Sequence, residues 1–374
     1  MANTDIVSPG PASAEPVTEP GPQARLPEPG WIVTRHSQVR EVLSNPVYEV
    51  PAAVGSGPAG TIGWLRASVC RFVNGEAHAR RRALVIGELE RISPLALRED
   101  AGRRAHAALD AAAEAGRLDV TTSLARRVPM AALAAALGIA DAEGAACAVP
   151  VVAAAYFPGT DAGQGRAGQG RVGQGRTGRE RAADLATAEL ARMLGPGREE
   201  VIAARIALLV QACDGTAGLI GEAIHRALAP PPDQVSAWST QAILAEVLRH
   251  DPPVRVSRRV SREAADLCGQ RVPAGSVVLL RIDSANRDPA VFDEPDCFDP
   301  ARFDPGGFDP GRGALSSLTF GDGLRPCPGP AHALMLAAGV VQAVRDRCAA
   351  VAGAVERGPQ LLAGVPARLE VILR

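Results

Sequence analysis

The chain has no lysine: all 40 of its basic residues are arginine. Aromatics are nearly as scarce, at 3% of 374 positions. Alanine and glycine fill the gap, a pattern that fits a GC-rich genome better than selection for guanidinium chemistry. No arginine is therefore given weight merely for not being lysine. Excess charge of either sign is also missing, with 40 Lys+Arg against 41 Asp+Glu and a net charge of −1. A nucleic-acid binder held by phosphate contacts would usually be basic, so none is expected. The seven cysteines, Cys70, Cys147, Cys213, Cys268, Cys297, Cys327 and Cys348, include no CxxC pair and are odd in number. That disfavours a disulfide framework or zinc ribbon and suits a reducing cytoplasm. The N-terminus lacks the apolar run of a signal peptide. The longest uncharged stretch, 144–160, is alanine-rich and broken by Pro150, too short and weakly apolar to span a bilayer. The expectation is a soluble cytoplasmic protein without a membrane partner.

At 47% hydrophobic and 22% charged residues, the chain has an ordinary globular composition. Residues 1–26, rich in Pro, Gly and Glu, read as a disordered tail before one domain over 27–374. Helical patterns fall at 37–43, 75–91, 96–116, 121–137, 142–156, 180–194, 199–229, 235–249 and 330–349. Strand patterns occupy 254–260, 265–267 and 276–282, with a turn at 272–275. Residues 292–315, full of Asp, Pro, Phe and Gly, read as an irregular meander. The segment 162–178 repeats a five-residue unit, one variable residue followed by Gly-Gln-Gly-Arg, too glycine-rich to hold a helix and read as a flexible linker. The fold class is therefore mainly α with a small β region.

The segment Phe320-Gly321-Asp322-Gly323-Leu324-Arg325-Pro326-Cys327-Pro328-Gly329 precedes the last helix. A cysteine there meets the helix dipole and free backbone N–H groups, which favour a thiolate. Glycines on both sides let the backbone fold closely around the sulfur. Nucleophile, redox thiol and metal ligand all remain open on this reading.

The pattern Phe-Gly-x-Gly-x-Arg-x-Cys-x-Gly resembles the haem loop of the cytochrome P-450 monooxygenases. The resemblance implies a single-domain triangular fold, with haem b between a long distal helix and the cysteine loop. Cys327 becomes the axial thiolate ligand of the iron. Phe320 shields the sulfur, Gly321 and Gly329 shape the loop, and Arg325 meets a haem propionate. Pro328 stands where the family commonly has an apolar residue. Glu246 and Arg249 match the family's Glu-x-x-Arg, 81 residues before Cys327. Glu88/Arg91, Glu114/Arg117 and Glu189/Arg192 share that spacing, but only Glu246 lies on a helix running into Asp-Pro-Pro. Arg302 fits the structural third member of that group. His78 and Arg82, one turn apart, and Arg259, after Asp-Pro-Pro, resemble further propionate partners, because buried carboxylates require cationic company.

The resemblance runs from about residue 30 to 374 and departs from the family in two places. On the long helix the family has an acid followed by a threonine that relays protons. In the ungapped match Asp214 takes the acid position and Gly215 the threonine position, with Thr216 one residue later. That step turns a side chain by about 100°. A one-residue slip would put Thr216 on the threonine position, and the ungapped match is preferred because Leu219-Ile220-Gly221 then stays in register. The second departure is the repeat, which falls in the lid over the substrate entrance. The implied function is oxidation of a small organic substrate with activated O2, in bacterial natural-product biosynthesis. Electrons would come from a ferredoxin and its reductase. Loss of the threonine keeps oxidative coupling or ring closure, and peroxide-driven oxidation, in view. A haem-binding protein without turnover is the alternative of another class.

Overall fold

The computed structural model describes residues 6–7, 30–52, 56–156, 178–228, 238–303, 317–357 and 364–374. The repeat up to residue 177, most of the expected tail and the second half of the meander lie outside them.

The helices are α1 (His36–Ser44), α2 (Ile62–Ser68), α3 (Gly75–Leu89), α4 (Pro94–Ala111), α5 (Arg127–Ala136), α6 (Ala142–Tyr156), α7 (Gly178–Leu194), α8 (Glu199–Leu228), α9 (Thr240–His250), α10 (Ile282–Ala285) and α11 (Pro330–Arg347). Their ends follow local chemistry. Ser93 caps α4 through the Ala96 N–H with Pro94 at the first turn, and Ser239 caps α9 through the Ala242 N–H. The pattern expected at 121–137 divides into a π-helical turn, Thr121–Ala125, and α5.

α8 is the central element. It packs against α2, α3, α5, α6, α7, α9 and α11. By length and composition it is the one described helix apolar enough to cross a membrane. Its contacts show instead why it is apolar: it is the axis of the core, with Ile206, Leu209, Ile220 and Ile224 fully buried.

The strands are β1 (Ile6–Val7), β2 (Trp31–Val33), β3 (Tyr48–Glu49), β4 (Arg117–Asp119), β5 (Val256–Ser261), β6 (Ala265–Leu267), β7 (Gln270–Val272), β8 (Val277–Arg281), β9 (Cys348–Arg357) and β10 (Pro366–Leu373). They form a five-stranded sheet in the order β1-β2-β8-β5-β3, a three-stranded sheet β4-β10-β9 and the hairpin β6-β7. β2 and β8 are parallel; every other pair is antiparallel. Three features differ from the sequence expectation. Ile6–Val7, inside the expected tail, pairs with β2. The helix expected over 96–116 spans Pro94–Ala111, and Arg117–Asp119, just beyond the expected end, forms β4. β9 and β10 were not expected: Cys348–Arg357 is an Ala-rich run that pairs with the adjacent β10, and β10 takes its other partner, β4, from far back in the chain.

Candidate functional site: the Cys327 loop and its cationic surround

The loop before α11 is shaped by backbone hydrogen bonds. The Cys327 N–H donates to the Phe320 carbonyl at 2.6 Å, and the Gly321 N–H to the Leu318 carbonyl at 2.9 Å. Gly321 and Gly323 have φ of 75° and 65°, a region that side chains disfavour. A Cβ on Gly323 would also lie 2.5 Å from the Leu43 carbonyl oxygen. The loop is thereby pinned to the end of α1, where the Leu324 N–H reaches the same carbonyl at 3.2 Å. Cys327 is left just before Gly329, the residue that opens α11. Burial pushes its thiol up, and a hydrogen bond from the Gly329 N–H and the charge of Arg82 oppose that. Such a sulfur stays protonated by itself and gives up its proton to a metal ion. Phe320 packs at the edge of the main core.

A buried polar scaffold carries the loop. Asn286, fully buried, donates to the Leu248 carbonyl, Ser317 and Thr319, and accepts from the Leu318 N–H at 2.7 Å. It thus joins α9 to the residues running into Phe320. Beside it, Glu246 and Arg249 form a fully buried pair at 2.5 Å. Arg249 donates onward to the Pro295 and Cys297 carbonyls, both at 2.7 Å. Glu246 also accepts the Asp299 N–H at 2.8 Å. The Arg302 guanidinium lies 3.6 Å from Glu246 and holds the carbonyls of Asp293 and Glu294. The three residues of that group are together, and the meander is tied to α9 through them.

Four of the expected basic residues converge from distant parts of the chain: His78 and Arg82 on α3, Arg259 on β5 and Arg325 on the loop. Arg325 donates to Asn74 and to the carbonyls of Val73 and Cys70, at 2.7–2.8 Å. Arg259 is buried and donates to Ser257 and the Arg258 carbonyl. Among the described residues no carboxylate forms an ion pair with Arg82, Arg259 or Arg325. Burial, then neighbouring guanidinium groups, lower Arg259 and Arg325 to about 10. Burial, then Arg325 and Arg82, lower His78 to about 4. The sequence reading missed Arg71, whose charge is the largest neighbouring influence depressing both Arg259 and Arg325.

On α8 the three candidate residues diverge. Asp214 faces Arg126 at 3.3 Å. Thr216 is buried at 2% exposure. Gly215 faces open space: a Cβ there would meet nothing within 4 Å. One turn on, the helix is tight, and a Cβ on Gly218 would lie 2.9 Å from Pro253. Cys213 is buried, which pushes its thiol up to about 12, and serves as packing.

These residues fit haem. A sulfur at a helix N-terminus stands ready for a metal, a cationic cluster lies beside it, and α8 has an open face at Gly215. Residues 238–338 match the family model described as Cytochrome P450. Protein DesVIII of Streptomyces venezuelae is 38% identical over 124 residues, covering 32% of this chain and 30% of that protein. Protein AknT of Streptomyces galilaeus is 27% identical over 305 residues, 72% of this chain and 68% of that protein. Cyclooctatin synthase of Streptomyces melanosporofaciens is 38% identical over 109 residues, 29% of this chain and 23% of that protein. The matched segments thus span less than a third of two of these relatives and about two thirds of the other. The structure of P450BioI in complex with hexadec-9Z-enoic acid ligated acyl carrier protein superposes with a TM-score of 0.73 at 19% identity, covering 92% of each chain. The chain thus has the fold of the solved P450 structures, and residues 238–338 carry the segment that the Cytochrome P450 family model describes.

Proposed function

We propose that the chain is a haem–thiolate monooxygenase that oxidises a small organic molecule in bacterial secondary metabolism. The observation that carries this is Cys327, held at the N-terminus of α11 by a glycine-shaped loop and backed by the Glu246–Arg249–Arg302 group. Cys327 would hold the iron, and His78, Arg82, Arg259 and Arg325 the two propionates. When bound, the haem supplies oxygen activation and hydrogen abstraction. The protein's part is to bind and orient the substrate, exclude water and keep a charged relay near it. Asp214, with Arg126, is the proposed proton-handling group, and Thr216 a neighbour turned into the core. Gly215 leaves space where a side chain would stand, which favours a bulky substrate and makes oxidative coupling or ring closure the second reading. Likeness to a cyclooctatin synthase supports a biosynthetic setting. A ferredoxin and its reductase are the proposed electron donors, in the cytoplasm.

The test is the Soret band of the purified protein. The reading requires a thiolate-type band in the reduced carbon monoxide complex, lost in Cys327→Ser. A thiolate-type spectrum surviving in that variant overturns it. Product formed only with NAD(P)H, reductase and ferredoxin separates the oxygenase from a peroxide-driven enzyme or a carrier.

A further inference from the structure

His332 lies on the first turn of α11, shortly after Cys327. Its Nε2 is 3.1 Å from the Leu89 carbonyl oxygen and 3.0 Å from that of Ile92. Carbonyl oxygens only accept, so Nε2 carries a ring proton and shares it between the two. Leu89 is the last residue of α3, and Ile92 precedes Ser93, the residue that caps α4. The imidazole therefore closes the corner between these two helices, where carbonyls run out of helical partners.

The other ring nitrogen gains nothing from this place. Nδ1 is buried and has no hydrogen-bond partner among the described residues. Without a proton it is an acceptor lacking a donor, and with one it is a donor lacking an acceptor. Either state costs the folded chain energy. Leucine would occupy similar space without that cost. What the histidine adds is the tie through Nε2.

The tie lies against the cysteine loop. A Cβ on Gly329 would sit 3.3 Å from Leu89 Cδ1 and 3.9 Å from His332 Nδ1. Gly329, the residue that opens α11 just after Cys327, thus faces both the end of α3 and the ring that holds it. α3 also carries His78 and Arg82. Apolar contact of Leu89 with Gly329 is non-directional and permits sliding. Hydrogen bonds from one N–H to two fixed carbonyls are directional and set the register of α11 against α3.

We propose that His332 is a positioning residue for the thiolate: it fixes the first turn of α11 on the end of α3 and so keeps the Cys327 sulfur where it binds the iron. This rests on the haem–thiolate reading above and adds a supporting residue to it. Groups that orient a metal's ligand from outside the coordination sphere act in this way.

The test follows the thiolate-type band of the reduced carbon monoxide complex in the holoenzyme over time, in mild denaturant. Glutamine places an amide N–H near the position of Nε2. Asparagine is one bond too short to do so, and leucine has no donor. His332→Leu and His332→Asn should lose the band about tenfold or more faster than the native enzyme, with haem still bound and helix content unchanged. His332→Gln should remain within about twofold of native. A band as long-lived in His332→Leu and His332→Asn as in the native enzyme overturns the proposal. So does a His332→Gln enzyme that decays as fast as His332→Asn. Loss of helix content, haem and band together, or failure of His332→Leu and His332→Asn to take up haem, also overturns it and leaves His332 a support of the fold alone. In all these cases an intact thiolate-type band in the native protein leaves the haem–thiolate reading standing, whereas its absence there refutes that reading itself.

Discussion

Gly215 shows how much one residue can alter a helix face. Glycine inside a helix costs about 1 kcal/mol relative to alanine, from backbone entropy alone. Here it lies in the middle of the core helix, with open space where its Cβ would be. Gly218, on a packed face, has no such space. Gly215→Ala should therefore stabilise the protein by about 0.5–1 kcal/mol, read as a rise in melting temperature. The same change at Gly218 should destabilise it by collision with Pro253. A Gly215→Ala protein that melts lower would show that the position is filled. The added methyl should also weaken the bulkiest iron ligands first.

Elements are joined at this site by buried polar groups more than by apolar contact. α9 carries Glu246 and Arg249 on one face, three residues apart, which lets them pair. Their remaining hydrogen-bonding capacity is spent on backbone groups of the meander, at Pro295, Cys297 and Asp299. The pair is therefore a clamp between a helix and a segment with little regular structure. Removing one partner leaves the other as an uncompensated buried charge. Glu246→Gln should cost about 3–5 kcal/mol in denaturant unfolding. Haem retention should fall with it, because Asn286 links the same helix to the residues before Phe320. A variant as stable as the native chain would show that the meander is held elsewhere.

Over the whole molecule, the cationic cluster is assembled from α3, β5 and the loop before α11. Its members are spread from residue 78 to residue 325, so only the closed fold concentrates the charge. His78 records this. Burial, then Arg325 and Arg82, hold it at about 4, against 6.5 for an ordinary imidazole. Between these values the unfolded chain takes a proton that the folded chain refuses. The stability associated with neutral His78 is thus complete above about pH 6.5, falls as pH drops toward 4, and changes no further below it. In protein stripped of haem, melting temperature should decline over that interval, and His78→Gln should flatten the decline. A native profile matching that of the variant would remove His78 from the cluster. Propionates introduced into the cluster should raise the imidazole again.

The sequence by itself determined the helical class, the limits of most helices and the cysteine loop. Helix periodicity, capping residues and glycine-framed motifs act over a few residues and are written locally. It also carried the Glu246–Arg249 pair, since both side chains lie on one helix turn. Arg71 was invisible for the opposite reason: one arginine among 40, with nothing nearby in sequence to mark it. β9 was missed because its Ala-rich run carries no alternating pattern, β10 because its outer partner β4 lies some 250 residues back, and Asn286 because its hydrogen bonds reach 31 to 38 residues away. Which α8 residue faces open space was likewise decided in three dimensions. A helix repeat gives relative angles along α8, but only packing against Pro253 and the surrounding helices fixes which angle points inward.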